Sequence, residues 1–175
     1  MATLVRHAAI AALAAIIVVG SFGCATPRTD TPATLVFGTP LQPNTLNPIT
    51  APDLASRYVI EMLFDGLVAS DEKLQLHGAL ASDWEASPDG TAWTFHLRKG
   101  VLWHDGPELT SDDVKFTYDT VVDPATKPTV AKSDFASIRQ VVAVDRYTVR
   151  FDLRRPDAAL LSRLTLGIAP RHLLQ

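Results

Sequence analysis

The sequence predicts a mixed α/β fold with separate helices and hairpins (α+β), and three observations carry that prediction. Alternating apolar and polar segments flank short polar turns, which is typical of β-hairpins. Apolar residues at helical spacing follow possible capping residues at Asp53 and Thr110, which indicates helices. The chain has 175 residues, of which 47% are hydrophobic and 20% are charged, so it is long and apolar enough to bury a core.

The charge of the chain argues against a nucleic-acid partner. The formal net charge is −3, and acidic and basic residues are mixed along the whole sequence. A nucleic-acid-binding domain usually concentrates lysine and arginine on one face. The sequence therefore predicts no DNA or RNA function.

The N-terminus has the pattern of an export signal. Arg6 precedes an apolar run from Ala8 to Gly20, which has the length of a signal-peptide core and is short for a membrane span. Cys24, the only cysteine, lies just after this run, separated from it by three residues. The segment resembles a bacterial lipoprotein signal, which implies a signal peptide over residues 1–23 and a lipid anchor on Cys24. An uncleaved anchor helix and a chance unpaired thiol are the alternatives.

Residues 24–33 are rich in proline and threonine and predict a tether rather than a core segment. A short buried strand is expected over residues 34–40, followed by a proline-rich loop. Asp53 is then placed to cap a helix that Gly66 would end. The residues predicted to form the buried face of this helix are Leu54, Tyr58, Val59, Met62 and Leu63.

Three hairpins are predicted, with turns at residues 71–73, 88–90 and 145–146. In the returning strand of the second hairpin, Trp93, Phe95 and Leu97 share one face and leave His96 on the polar face. In the third hairpin, the apolar face is expected to hold Tyr147, Val149, Phe151 and Leu153, with Thr148, Arg150 and Asp152 opposite. A short helix closed by Gly167 and a helix beginning near Pro170 complete the chain.

Residues that could carry chemistry lie in the stretch 101–119. His104 and Asp105 could be a metal pair, but neighbours on a strand point to opposite faces, and Asp105-Gly106-Pro107 is typical of a turn. No second histidine at helical spacing and no Cys-x-x-Cys motif accompanies them. The turn is the favoured interpretation, and an exported metal-dependent hydrolase that uses His104 and Asp105 is the alternative.

A helix is predicted directly after this turn. Thr110 and Asp113 have nearly the spacing of a capping box, and Asp112 and Asp113 would lie in the first turn of the helix. Acid–base catalysis by Asp105 or Asp113 has no partner residue in the sequence to support it. The apolar stripe expected on this helix contains Val114, Tyr118, Val121 and Val122.

Several motifs in order resemble the extracellular solute-binding proteins of the oligopeptide, dipeptide and nickel class, family 5, which serve bacterial ABC importers. They are TLNP (Thr45–Pro48), FDGLV (Phe64–Val68), the stretch Leu80–Asp119, VDRYTVRFDL and IAPRH. The resemblance implies a fold of the periplasmic-binding-protein type II. Residues 34–175 would be part of its first lobe with an extra subdomain at about 53–164, and the second lobe would be absent.

The same resemblance implies a function. It is the capture of a peptide or similar small solute in the periplasm or at the cell surface, and its delivery to ABC permease subunits, with no catalysed reaction and no cofactor. The ligand could be a dipeptide, a longer peptide, a nickel complex, haem or a sugar. Ile49, Thr50 and Ala51 are expected to approach it, as is Phe135, for which plain packing is the alternative. A lobe recruited as a surface interaction module is a third possibility.

Overall fold

The structure is a computed structural model, and it describes Val36, Gly38 and residues 41–128 and 132–175. The predicted signal peptide, the tether with Cys24 and most of the predicted strand over 34–40 lie outside these residues. Residues 39–175 form a unit separate from residues 1–38. Within the described ranges, no helix combines the length and apolar character needed to cross a membrane.

The predicted order of helices and hairpins is confirmed. The helices are α1 (Leu54–Leu63), α2 (Ser111–Val122), α3 (Leu160–Arg163) and α4 (Arg171–Leu174), with a 3₁₀-helix at Lys132–Phe135. The strands are β1 (Val68–Ser70), β2 (Leu76–Gly78), β3 (Ala81–Ala86), β4 (Ala92–Leu97), β5 (Ile138–Asp145) and β6 (Thr148–Leu153). Strands β1 and β2 pair with each other, and the other four form an antiparallel sheet in the order β3-β4-β6-β5.

The hydrophobic core lies against one face of this sheet. Phe95 pairs with Val149 across β4 and β6, and Phe151 follows Val149 on the same face. All three side chains are fully buried, and the rings of Phe95 and Phe151 meet edge to face at 5.5 Å between centroids. The predicted alternation in these two strands is therefore confirmed.

Helix α2 covers this core and begins as the sequence predicts. The backbone N–H of Thr110 donates to the Asp113 carboxylate at 2.9 Å, which is the capping-box contact. Val114, Tyr118 and Val121 are fully buried, and the Tyr118 ring packs edge to face on Phe151 at 5.0 Å. Val122 was predicted to be buried with them, but it is 36% exposed because it is the last residue of the helix.

The buried face predicted for α1 is wrong. Leu54, Tyr58 and Met62 are each more than half exposed, and Leu63 is 38% exposed. The face that packs inward contains Ala55, Ser56 and Ile60. Small side chains allow the preceding loop to approach this face closely, and the Ser56 hydroxyl group accepts hydrogen bonds from the loop backbone.

Asp152 was predicted on the polar face of the third hairpin, but it is only 7% exposed. Three polar neighbours surround its carboxylate, with Arg150 Nε at 2.8 Å, a hydrogen bond from the Gln140 side-chain amide, and Arg139 at 3.7 Å. These long side chains cover the carboxylate while compensating its charge.

Gly66 and Gly167 do not end helices as predicted. Helix α1 ends at Leu63 and α3 ends at Arg163, and the glycines lie where two chain segments touch. A Cβ atom on Gly66 would lie 2.6 Å from the Thr165 carbonyl carbon, and one on Gly167 would lie 2.8 Å from Phe64 Cβ. Hydrogen bonds flank the contact, including Ile168 N–H to Asp65 O at 2.9 Å.

We expect Gly66→Ala to lower the free energy of unfolding by about 1–3 kcal/mol, because the added methyl group meets a backbone that cannot rotate away. Chemical denaturation of the purified chain measures this change. Gly38→Ala is the matched control, since no atom of the described residues lies within 4 Å of its added Cβ, and its effect should stay within about 0.5 kcal/mol. Equal effects of the two substitutions would contradict the steric explanation.

The turn between β3 and β4 predicts a pH-dependent contribution to stability. The Asp89 carboxylate accepts hydrogen bonds from the Ser87 hydroxyl at 2.6 Å and the Thr91 hydroxyl at 2.7 Å, and these bonds lower its pKa to about 2. A lowered folded-state pKa stabilises the fold above the unfolded pKa of about 3.9, and this contribution is lost as the pH falls toward 2.

We therefore expect Asp89→Asn to destabilise the chain at pH 7, with a difference from the wild type that shrinks between pH 4 and pH 2. Chemical denaturation at a series of pH values measures the difference. A difference that stays constant down to pH 2 would show that the charge of Asp89 is irrelevant to the turn.

Candidate functional site

A pocket of about 270 Å³ lies between α1 and the segment around α3. The wall on the α1 side contains Pro48, Ala51, Arg57, Ile60 and Glu61. The opposite wall contains Asp134, Phe135 and Arg163, and residues 165–167 complete the lining. The contact at Gly66 brings the two walls together, because it fixes the segment after α3 against the segment after α1.

The first wall begins with a loop that its own side chains hold in shape. The Asn47 side-chain oxygen accepts from the backbone N–H groups of Ile49 at 2.9 Å and Thr50 at 3.3 Å. The Ala51 N–H group donates to the Asn47 carbonyl oxygen at 3.1 Å. An asparagine that bonds to the backbone two residues ahead forms an Asx turn, so this loop has a defined conformation.

A hydrogen-bond network joins this loop to the start of α1. Asp53 caps the helix by accepting from the Ser56 N–H group at 2.9 Å. The Ser56 hydroxyl group donates to the same carboxylate at 2.8 Å and accepts from Asn44 and Thr45 N–H groups. The hydrogen bonds from Ser56 hold the pKa of Asp53 below its usual value. The loop and the helix therefore form one wall.

The opposite wall depends on Arg163. One terminal nitrogen of its guanidinium group donates to the Asp134 carbonyl oxygen at 2.7 Å and to the Asp157 carboxylate at 3.1 Å. The Ser137 hydroxyl group donates to the same carboxylate at 2.7 Å. This bond and the nearby charge of Arg163 hold the pKa of Asp157 below its usual value. Arg163 is thus fixed at the edge of the pocket.

Of the four residues expected near a ligand, two line the pocket and two do not. Ala51 and Phe135, from segments 84 residues apart in the sequence, line the same pocket. Thr50 is exposed beside Ala51. The Ile49 side chain is 1% exposed and belongs to the hydrophobic core, where it anchors the loop. Phe135 also packs on Tyr118 at 5.7 Å between ring centroids, so it has a core role as well as a pocket face.

The favoured turn at Asp105-Gly106-Pro107 is confirmed. The Gly106 N–H group donates to the Trp103 carbonyl oxygen at 2.9 Å, and Gly106 has a φ of +107°. His104 is exposed. Sequence reasoning missed the partner of Asp105, which is His172 at 2.8 Å, and this hydrogen bond lowers the pKa of Asp105.

These side chains do not form a recognisable catalytic or metal centre. The Asp105–His172 pair lies at the surface, with side-chain exposures of 44% and 33%. Among the described residues, no three histidine, cysteine, aspartate or glutamate side chains lie close enough together to hold a metal ion. The pocket described above is therefore the candidate site.

The charged residues of the pocket are the part that sequence reasoning missed. Arg57 and Glu61 lie one turn apart on α1, but their spacing alone is that of any solvated helix face. Asp134 and Arg163 reach the pocket only through tertiary contacts. No local pattern in the sequence distinguishes these four residues from other surface charges.

Comparison with known proteins places this fold in a family. The profile of the bacterial extracellular solute-binding proteins, family 5, matches residues 75–173. Protein XP55 of Streptomyces lividans is 35% identical over 170 residues, which cover 93% of this chain and 30% of XP55. Oligopeptide-binding protein AppA of Bacillus subtilis is 33% identical over 144 residues, which cover 80% of this chain and 26% of AppA.

Solved structures agree with these matches. NikZ from Campylobacter jejuni in complex with Ni(L-His) has a TM-score of 0.69 and 33% identity, and the match covers 77% of this chain and 27% of NikZ. AppA in complex with a nonapeptide has a TM-score of 0.67 and 32% identity, covering 73% of this chain and 26% of AppA. The expected mixed α/β fold, similar to part of a type II periplasmic-binding protein, is confirmed.

The chain spans between a quarter and a third of the length of these relatives. The matched profile covers more than half of the chain. It includes the turn at Asp105, helix α2 and both strands of the third hairpin. The family profile and the relatives named above give no support to the hydrolase alternative. The chain belongs to the bacterial extracellular solute-binding proteins of family 5.

Proposed function

We propose that this chain captures peptides or similar small solutes outside the inner membrane, as the substrate-binding component of an ABC importer that delivers them to permease subunits. The observation that carries this proposal is a family 5 fold with a pocket at the junction of α1 and α3. AppA and NikZ, which share the fold, bind a nonapeptide and Ni(L-His) respectively. Both ligands contain amino acids.

The pocket suits such a ligand because it combines apolar and charged surfaces. Ile60, Phe135 and Leu166 provide apolar lining, and charged side chains from both walls surround it. Ligand sites commonly combine an apolar surface with a few polar groups that fix orientation. We propose that Ala51 and Phe135 form part of the wall that faces the ligand, with side chains that are 1% and 2% exposed. Thr50 would contact the ligand at the rim, and Ile49 would act through its backbone and by anchoring the loop.

The proposed role requires no catalysis. The chain would bind its ligand and release it unchanged, so neither a nucleophile nor an acid–base pair is needed at the pocket. The Asp105–His172 pair belongs to the turn after β4 and lies outside the pocket lining. We propose that this pair stabilises the turn.

Binding of small peptides to the purified chain tests the proposal. We expect dialanine or tetraalanine to give a saturable heat signal in isothermal titration calorimetry. Thr165→Trp should reduce the affinity at least tenfold, because Thr165 is exposed in the lining and an indole ring there would fill part of the pocket. Lys127→Trp, an exposed position outside the pocket, is the matched control and should bind as the wild type does.

Two results would contradict the proposal. If neither peptide binds to a chain that melts cooperatively, peptide capture by this chain is wrong. If both peptides bind but Thr165→Trp has no effect, the ligand site lies elsewhere.

We further propose that lipidated Cys24 anchors the chain to the membrane in the periplasm or at the cell surface. The apolar segment 8–20 followed by the single cysteine supports this anchor. A lipid chain partitions into detergent, so we expect the wild-type chain expressed in a bacterium to enter the detergent phase with lipidated Cys24 as its first residue. Mass spectrometry of the N-terminal peptide checks the modification directly.

The uncleaved anchor helix predicts another outcome. In that case the wild type would enter the detergent phase with residues 1–23 still attached, and its mass would show no added lipid. Either observation would overturn the proposed anchor.

A further inference from the structure

The outer face of α1 is apolar, and no element in the described part of the chain covers it. Leu54, Tyr58 and Met62 repeat every fourth residue along this face, and each is more than half exposed. We call these three residues the α1 stripe. Single exposed apolar side chains are normal on a protein surface, whereas a row of large ones on one helix face is typical of a docking surface.

The α1 stripe is complementary to itself. Leu54 and Met62 lie four residues on either side of Tyr58, which is about 6 Å along the helix axis in each direction. If two helices pack antiparallel around a two-fold axis near Tyr58, Leu54 of each copy faces Met62 of the other. A two-fold contact uses the same patch on both copies, so the symmetry of the stripe fits a second copy of this chain.

Two opposite charges flank the stripe. At about 100° per residue, Arg57 and Glu61 both lie on the same side of it. Both residues are exposed, and among the described residues neither side chain has a hydrogen-bond or ion-pair partner. Each charge is therefore available to a group outside the chain.

A second copy supplies a partner for both charges. In an antiparallel pair around a perpendicular two-fold axis, the same side of each helix meets the same side of the other. Arg57 and Glu61 lie at equal distances from position 59, one residue from the centre of the stripe. Arg57 of each copy therefore faces Glu61 of the other, which gives two reciprocal ion pairs beside the apolar contact.

The length of α1 limits the strength of this contact. The helix has ten residues and is about 15 Å long. Two helices of this length share an interface at the lower end of the range for protein–protein contacts. A pair formed through α1 should therefore be reversible and depend on the protein concentration.

We propose that two copies of this chain form an antiparallel pair through the α1 stripe, with Arg57 of each copy bound to Glu61 of the other. The inference goes beyond the proposed function, because neither capture nor delivery of a solute requires a second copy. It gives a burial partner to the apolar face of α1 that the chain itself leaves exposed.

Reversing the two charges tests this pairing by sedimentation velocity. The full chain is purified in detergent, because residues 8–20 are apolar, and is sedimented between about 5 and 500 µM, where weak complexes dissociate. The variants are Arg57→Glu, Glu61→Arg, the double variant and an equal mixture of the two single variants. Arg155→Glu and Glu72→Arg, exposed positions outside α1, are the matched controls for the change in net charge.

We expect the wild type to change from monomer to dimer over this range. Each single reversal should weaken the dimer at least tenfold, because it turns two attractions into two repulsions. The double variant should restore the dimer. The mixture should restore it as well, since every acidic position of one chain then faces a basic position of the other. The controls should associate as the wild type does.

Met62→Asp tests the apolar part of the contact. A carboxylate at this position would face Leu54 of the other copy without a partner, so we expect the dimer to be lost over the whole range. Met62 is exposed in the single chain, so the melting temperature of the dilute variant should equal that of the wild type.

Other results would overturn the inference. A wild type that stays monomeric up to the highest concentration forms no such pair. If the wild type associates but neither the charge reversals nor Met62→Asp weaken it, the copies meet through another surface. If the single reversals weaken the dimer and their mixture does not restore it, the antiparallel pairing is wrong. Peptide capture is measured separately by calorimetry, so its outcome does not depend on these results.

Discussion

The pocket exists because two backbone segments approach more closely than any side chain at the contact would permit. The segment after α1 and the segment after α3 touch at Gly66 and Gly167, where a Cβ atom on either glycine would overlap its neighbour. The segments are about a hundred residues apart in the sequence, and the residues that separate them along the chain form the sheet and α2. The absence of two methyl groups thus decides whether the loop at Ala51 and the wall at Arg163 face each other.

Local patterns in the sequence were sufficient for most of the secondary structure. The capping box at Thr110 and Asp113 and the alternation through Phe95 and Phe151 were predicted correctly, because each depends on residues that are close in sequence. The buried face of α1 was predicted wrongly. Its large apolar residues suggested one stripe, whereas the loop preceding the helix covers the opposite face through Ser56. Periodicity identifies a helix but cannot say which neighbour will cover it.

The candidate site was only partly predictable for the same reason. Resemblance to family 5 pointed to Ala51 and Phe135, and the structure brings both to one pocket. The charged residues beside them were missed, because the position of Arg163 depends on Asp157 and on the carbonyl group of Asp134. Such contacts join segments that no short motif connects. The pairing of Asp105 with His172 was not predicted either, because these two residues also come from distant segments of the chain.

The irregular register of the sheet has a consequence for how molecules of this protein meet one another. The two outer strands, β3 and β5, both depart from regular pairing, near Ser82 and at two points along β5. They also carry exposed charged side chains, among them Asp83, Glu85 and Arg139. A bulged and charged edge pairs poorly with a strand from another molecule. Copies of this protein at high concentration would therefore resist joining their sheets into larger aggregates.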